Sequence, residues 1–197
     1  DLRVGNCLDS LAAVEQTVQT RWSSVPVYYF GSSFGAYITA LYAATRPHEG
    51  LRAVFRSAAV NMPSIILKGL LDDSHGTVRE ELEKTGYTEP DLGLDGTVRI
   101  PAGFFDDMRA YDLFDRCPPE TSREADEEGR AAGTIGGVKI RMIHARDDEV
   151  VDFAAAERFA KERGIPLTVF EGEHHTLSDH PATPEKNAAI ALSFFTE

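Results

Sequence analysis

The clearest chemical signal in the chain is carried by five residues, Gly31-Ser32-Ser33-Phe34-Gly35. A serine with a glycine two places away on each side, set between a strand-like run and a helix-like run, is the pattern of a nucleophile exposed on a sharp turn. The flanking glycines are expected to remove side chains that would clash in the reversal. The N-terminus of the following helix favours developing negative charge. Val25-Pro26-Val27-Tyr28-Tyr29-Phe30 supplies the strand, and Ala36-Tyr37-Ile38-Thr39-Ala40-Leu41-Tyr42 the helix. A Gly/Ser turn that merely joins a strand to a helix would look similar. Glycine spacing selects Ser33, since Ser32 fits only a shifted motif.

A serine hydroxyl at its ordinary pKa attacks poorly and needs a base, usually histidine, held by a carboxylate. Such groups gather at the C-terminal ends of parallel strands. Two loops qualify. Asp147 and Asp148 follow the strand-like Lys139-Ile140-Arg141-Met142-Ile143-His144, and His174 and His175 follow a strand-like run at 166–170. His144 ends a strand and is expected to be structural. His48 and His75 are poorly placed, and His180 lies beside Pro181. Glu171, Glu173, His174, His175, Asp179 and His180 together could suggest a metal site. Adjacent histidines rarely ligate one ion, and no second cluster completes a tetrahedron, so neither a metal nor a cofactor is expected.

The positioning elements follow from hydrophobic periodicity. Helices are expected over 8–22, 34–45, 153–163 and 187–195, and strands over 25–30, 51–57, 138–144 and 166–170. Strands separated by helices imply parallel βαβ units with helices on both faces of a sheet. Residues 61–137 break the rhythm. They hold helix-like pieces at 65–71, 78–84 and 104–116, a turn at Asp95-Gly96, and a charged, Gly-rich stretch over 121–137 expected to be a mobile loop. An insertion of this kind between core strands reads as a small lid, leaving residues 1–197 as one domain.

At 197 residues the chain is long enough for one sizeable core. No run approaches the ~20 apolar residues of a membrane helix. A net charge of −12 disfavours nucleic acid and anionic lipid as partners. The two cysteines, Cys7 and Cys117, cannot form a disulfide framework or a thiolate zinc site. Free thiols, with no secretory signal recognised before the first helix, lead to a cytoplasmic expectation.

Three segments together resemble the α/β-hydrolase superfamily. They are Gly31-Ser32-Ser33-Phe34-Gly35, Ile143-His144-Ala145-Arg146-Asp147-Asp148-Glu149-Val150-Val151, and Glu171-Gly172-Glu173-His174-His175-Thr176-Leu177-Ser178-Asp179. The second is similar to the family's HGxxDxVV acid loop, with Ala145 in place of the usual glycine, and puts the acid on Asp148. The third is similar to its GxxH loop and puts the base on His175. Asp147 and His174 are the alternatives. The similarity runs over residues 8–195, is weakest through the lid, and is nearest to small feruloyl or cinnamoyl esterases and to serine-aminopeptidase-like hydrolases.

This resemblance implies an α/β-hydrolase core: a mostly parallel sheet flanked by helices, with a lid insertion. It implies acyl transfer to Ser33, with the Phe34 backbone N–H as one oxyanion donor and a small-molecule ester as substrate. A peptidase or amidase with the same residues, or a non-catalytic binding domain of this fold, are the alternatives. Met62, Tyr87, Phe104 and Phe105 are candidates for an apolar acyl pocket or for the core of the lid. The second oxyanion donor of the family comes from a His-Gly-type loop after an early strand, and nothing before Ser33 matches it. The early strands themselves are absent, which should leave strand 25–30 as an exposed apolar edge. A fragmentary chain is the preferred explanation, beside a second chain that completes the sheet (a homo-oligomer) and a reduced fold.

Overall fold

The structure is a computed structural model that describes residues 2–72, 76–90, 98–118 and 133–197. The first helix, α1 (Val4–Arg21), turns Val4, Leu8 and Glu15 inward at helical spacing. Strand β1 (Val27–Ser32) leads directly into α2 (Phe34–Thr45), which ends just before Pro47. β2 (Gly50–Arg56) follows. The segment after it contains α3 (Met62–Ser64), a π-helical stretch (Ile65–Asp72), α4 (Thr77–Thr85), the short pair β3 (Tyr87–Thr88) and β4 (Ile100–Pro101), α5 (Ala102–Ala110) and α6 (Leu113–Arg116). The chain returns to the main sheet with β5 (Thr134–Ile135) and β6 (Val138–Ala145), then continues through α7 (Phe153–Glu162), β7 (Leu167–Phe170) and α8 (Thr183–Thr196).

β1, β2, β6 and β7 run parallel in that order, and β5 adds antiparallel to the start of β6. Alternation along the strands divides the core between the two faces of the sheet. Tyr29, Ala53, Phe55, Ile140 and Met142 pack with α1, α2 and α7, while Val54, Ile143 and Ala145 pack with Ala191 and Phe194 of α8. Glu15 of α1 is buried, accepts the Tyr29 hydroxyl at 2.8 Å and also accepts the Glu49 backbone N–H. Burial and the Glu15 carboxylate push the Tyr29 phenol well above its ordinary value, so it stays a donor.

Most of the expected elements form within a few residues of their predicted limits. The stretch expected as one helix over 104–116 is two, because the Asp112 side chain accepts the Phe114 N–H at 2.8 Å and starts a new N-terminus. α8 begins at Thr183 rather than near 187, since Pro184 suits a first helical turn. β5 belongs to the stretch expected as a loop. It is paired through a tight turn at Gly136-Gly137, both with positive φ, and its two residues are too few to show a period. The expected turn at Asp95-Gly96, His75 and the 121–132 part of the expected loop lie outside the described residues.

Insertion helix α5 is tied to the start of α1. Asp107 accepts two hydrogen bonds from the Arg3 guanidinium and one from Val4 N–H at 2.7 Å. Arg163, at the end of α7, sends its buried guanidinium to the carbonyls of Cys117 and Phe114 and lies over the Phe159 ring. Phe104 and Phe105 are buried in the core, and Met62 packs against it.

The outer edge of β1 has no partner among the described residues. Val25 and Phe30 are about half exposed, and Leu192 of α8 is more so. An uncovered apolar strand edge invites pairing with another chain. Sedimentation of the 197-residue chain is therefore expected to show concentration-dependent association that Phe30→Lys weakens. A monomer at every concentration, unchanged by the substitution, would contradict this.

Candidate active site

The turn from β1 into α2 places Ser33 at φ 51° and ψ −120°, outside the regions a side-chain-bearing residue adopts without strain. The backbone is held there by its neighbours. Ser33 N–H donates to the Arg56 carbonyl at 2.9 Å, and the Ser33 carbonyl accepts from Ala36, Tyr37 and Ala59 N–H. A Cβ on Gly31 would lie 2.6 Å from the Ala36 Cα, so glycine is required where β1 and α2 nearly touch. Gly35 differs from the expectation, for a Cβ there meets nothing within 4 Å. The N–H groups of Phe34 and Gly35 open α2 and so have no acceptor within the helix.

The loops after β6 and β7 meet beside this turn. Ser33 Oγ lies 3.0 Å from His175 Nε2, and His175 Nδ1 lies 3.0 and 2.9 Å from the two oxygens of Asp148. With Nδ1 protonated, the ring donates to Asp148 and offers the Nε2 lone pair to the serine hydroxyl. The His175 side chain is 17% exposed and that of Asp148 is fully buried. Burial opposes the Asp148 charge. Hydrogen bonds from His144 and His175, then from Val151 and Val150 N–H, outweigh it and hold the carboxyl well below its ordinary range.

The neighbouring candidates do other work. Asp147 accepts Gly172 N–H at 3.3 Å, linking the two loops. His174 is over half exposed and pairs with Asp179 at 3.3 Å. Ser32 Oγ accepts from Arg56 at 2.8 and 3.0 Å. Within the cluster first considered for metal, Glu173 is a hub for its own loop. It accepts from the His180 ring at 2.7 Å, from Thr183 Oγ1 at 2.6 Å, and from the N–H groups of Asp179 and His180. Among the described residues, no three His, Cys, Asp or Glu side chains are arranged to hold a metal ion.

Two contributors escaped sequence reasoning. His144 is fully buried, and its Nε2 lies 3.2 Å from Asp148 Oδ2 and 3.3 Å from the Val151 carbonyl, so a second imidazole meets the acid. The HGxxDxVV spacing held that signal, since the aspartate stands four positions after this histidine. Ser57 donates its hydroxyl to the His175 carbonyl at 2.8 Å and left no mark in the sequence.

Comparison with solved structures agrees with this architecture. Est1E from Butyrivibrio proteoclasticus superposes with a TM-score of 0.69 at 18% identity, covering 99% of this chain and 71% of its own. Its complex with ferulic acid gives a TM-score of 0.68 at 17% identity, covering 100% of this chain and 69% of its own. Mouse alpha/beta hydrolase domain-containing protein 10 gives 0.61 at 16% identity, with coverage of 100% and 71%. The esterase domain of a Rhodothermus marinus protein gives 0.60 at 17% identity, with coverage of 94% and 67%. No family model matches the chain, and neither does any curated protein. The chain thus has the α/β-hydrolase fold, without a counterpart of roughly the remaining third of those structures.

Glu173 makes a pH prediction. Burial opposes its charge, yet the hydrogen bonds from Thr183, His180 and Asp179 hold its carboxyl down from 4.5 to about 2. A carboxyl lowered by folding stabilises the native state fully above its unfolded pKa, and that stabilisation is lost as pH falls through the folded value. Thermal stability should therefore decline between pH 4.5 and about 2. Glu173→Gln should lower the midpoint at pH 7 and flatten that decline. An unchanged slope would assign the acid sensitivity to other groups.

Proposed function

We propose that this protein is a serine hydrolase that cleaves carboxylic esters through an acyl-enzyme on Ser33. The observation that carries the proposal is the hydrogen-bonded line from Ser33 Oγ through the His175 ring to the buried Asp148. His175 Nε2 accepts the hydroxyl proton as Oγ bonds to the ester carbonyl carbon. Asp148 holds the ring in the required tautomer and stabilises the imidazolium. The carbonyl oxygen takes up negative charge beside the Phe34 N–H at the start of α2. His175 returns its proton to the departing alkoxide as the C–O bond breaks. A water deprotonated by His175 then releases the acid and regenerates Ser33.

Ester cleavage is favoured because Est1E, among the structural neighbours, is known in complex with ferulic acid, and another neighbour is an esterase domain. We place the second oxyanion donor outside the described residues, among which α1 and β1 are the elements ahead of Ser33 and neither carries the family's His-Gly-type loop. A strand from beyond these residues would cover the β1 edge and bring that donor with it. The segment between β2 and β5 serves as the lid, and the unpaired Cys7 and Cys117 suit a cytoplasmic setting.

A fluorophosphonate probe should label the protein and fail to label Ser33→Ala. Asp148→Asn should lower kcat by about 10⁴-fold, and His175→Ala comparably, with His174→Ala near wild type. Unlabelled but folded wild type would favour a non-catalytic domain. Greater loss in His174→Ala than in His175→Ala would move the base. Turnover of aminoacyl anilides above p-nitrophenyl and hydroxycinnamate esters would make the protein a peptidase.

A further inference from the structure

We infer that Ser57 is a positioning residue: its hydroxyl fixes the main chain of His175 and so sets the reach of the imidazole to Ser33. This inference rests on the serine-hydrolase reading and adds a residue to it.

Ser33, Ser57 and Leu177 are the non-glycine residues with positive φ among the described residues. One is the candidate nucleophile, and Leu177 lies two residues beyond His175 in its loop. Ser57 has φ 45° and is fully buried at the end of β2. Strain at a buried residue with a side chain persists only where surrounding contacts over-determine it, and such positions concentrate at functional sites.

The contacts of Ser57 are specific. Its N–H donates to the Ile143 carbonyl at 2.8 Å, which extends the β2–β6 pairing by one residue. Its hydroxyl donates to the His175 carbonyl at 2.8 Å. The residues on either side reach the nucleophile turn: the Arg56 carbonyl accepts Ser33 N–H at 2.9 Å, and Ala59 N–H donates to the Ser33 carbonyl at 3.2 Å. The Arg56 guanidinium spans both sides, donating to Ser32 Oγ and, at 3.0 Å, to the Thr176 carbonyl. One turn of backbone after β2 therefore grips the Ser33 turn and the His175 loop together.

The His175 ring is oriented by Asp148, but its distance from Ser33 also depends on where its backbone sits. On the β6 side that backbone is held by Glu149, which accepts His175 N–H at 3.2 Å. On the Ser33 side it is held by Ser57. Loss of the hydroxyl leaves the ring's partners unchanged and frees the backbone to drift.

Ser57→Gly isolates this effect, because glycine adopts φ 45° without strain and removes only the hydroxymethyl group. The expected result is a kcat about 10- to 100-fold lower on a p-nitrophenyl ester, with KM and the thermal midpoint unchanged or the midpoint raised. Ser57→Ala should show the same kcat loss. In crystals of Ser57→Gly, His175 Nε2 should lie beyond about 3.5 Å from Ser33 Oγ. An unchanged kcat, a kcat loss matched by a fall in the thermal midpoint, or an unmoved imidazole would overturn the inference. Wild type that neither turns over esters nor takes up the fluorophosphonate would instead overturn the hydrolase reading. The crystallographic distance would still decide the role of Ser57.

Discussion

The reversal of the chain at Ser33 is the constraint on which the rest of the site depends. β1 must end and α2 begin within one residue, with the Ser33 backbone forced to φ 51°. Close approach of the Gly31 and Ala36 backbones makes the reversal possible, and four hydrogen bonds to the Ser33 main chain hold it. Two of those bonds come from the end of β2. The turn is thus stabilised by the parallel pairing of β1 with β2 as much as by its own sequence. Its consequence is a hydroxyl projecting above the sheet's edge at the start of a helix, where negative charge is favoured.

Burial of Asp148 follows the same logic from the loop after β6. An isolated buried carboxylate would neutralise by taking a proton. Here two backbone N–H groups from the turn of its own loop and two imidazoles surround it, so it keeps its charge. His144 has one ring nitrogen near Asp148 and the other buried without a partner among the described residues. That pattern places a proton on Nε2, where Asp148 and the Val151 carbonyl can accept it, since a buried lone pair on Nδ1 costs less than a stranded N–H. The acid is therefore shared, with His144 approaching from within β6 and His175 from the loop after β7.

The loops bearing these groups are tied to one another rather than to the strands alone. Asp147 accepts from Gly172, Arg146 pairs with Glu171 at 2.8 Å, and Glu173 gathers the turn from Asp179 to Thr183. Each tie uses an acid that the sequence reading weighed for another role, Asp147 as the alternative acid and Glu171 and Glu173 as part of a metal cluster. Their charge pattern alone does not reveal them, because an exposed acid and a loop-anchoring acid are the same residue type.

The sequence alone determined where the turn at Ser33 falls, which strands carry the loops of Asp148 and His175, and the order in which those elements follow one another. Those features depend on local rules: apolar periodicity, the absence of a side chain at Gly31, and an acidic or histidine-bearing loop after a strand. The outer edge of β1, which has no partner among the described residues, was expected from the family resemblance and not from the apolar run at 25–30, which suits a paired strand equally well. The family resemblance already set Asp148 ahead of Asp147 and His175 ahead of His174, and tertiary structure added the hydrogen-bonded line that joins Asp148, His175 and Ser33. Only the packing of the two loops beside the Ser33 turn brings Asp148 to the His175 ring and that ring to Ser33. Tertiary structure alone brought Arg56 and Ser57 to the site, because their partners lie far along the chain, across strands that become neighbours only when the sheet forms.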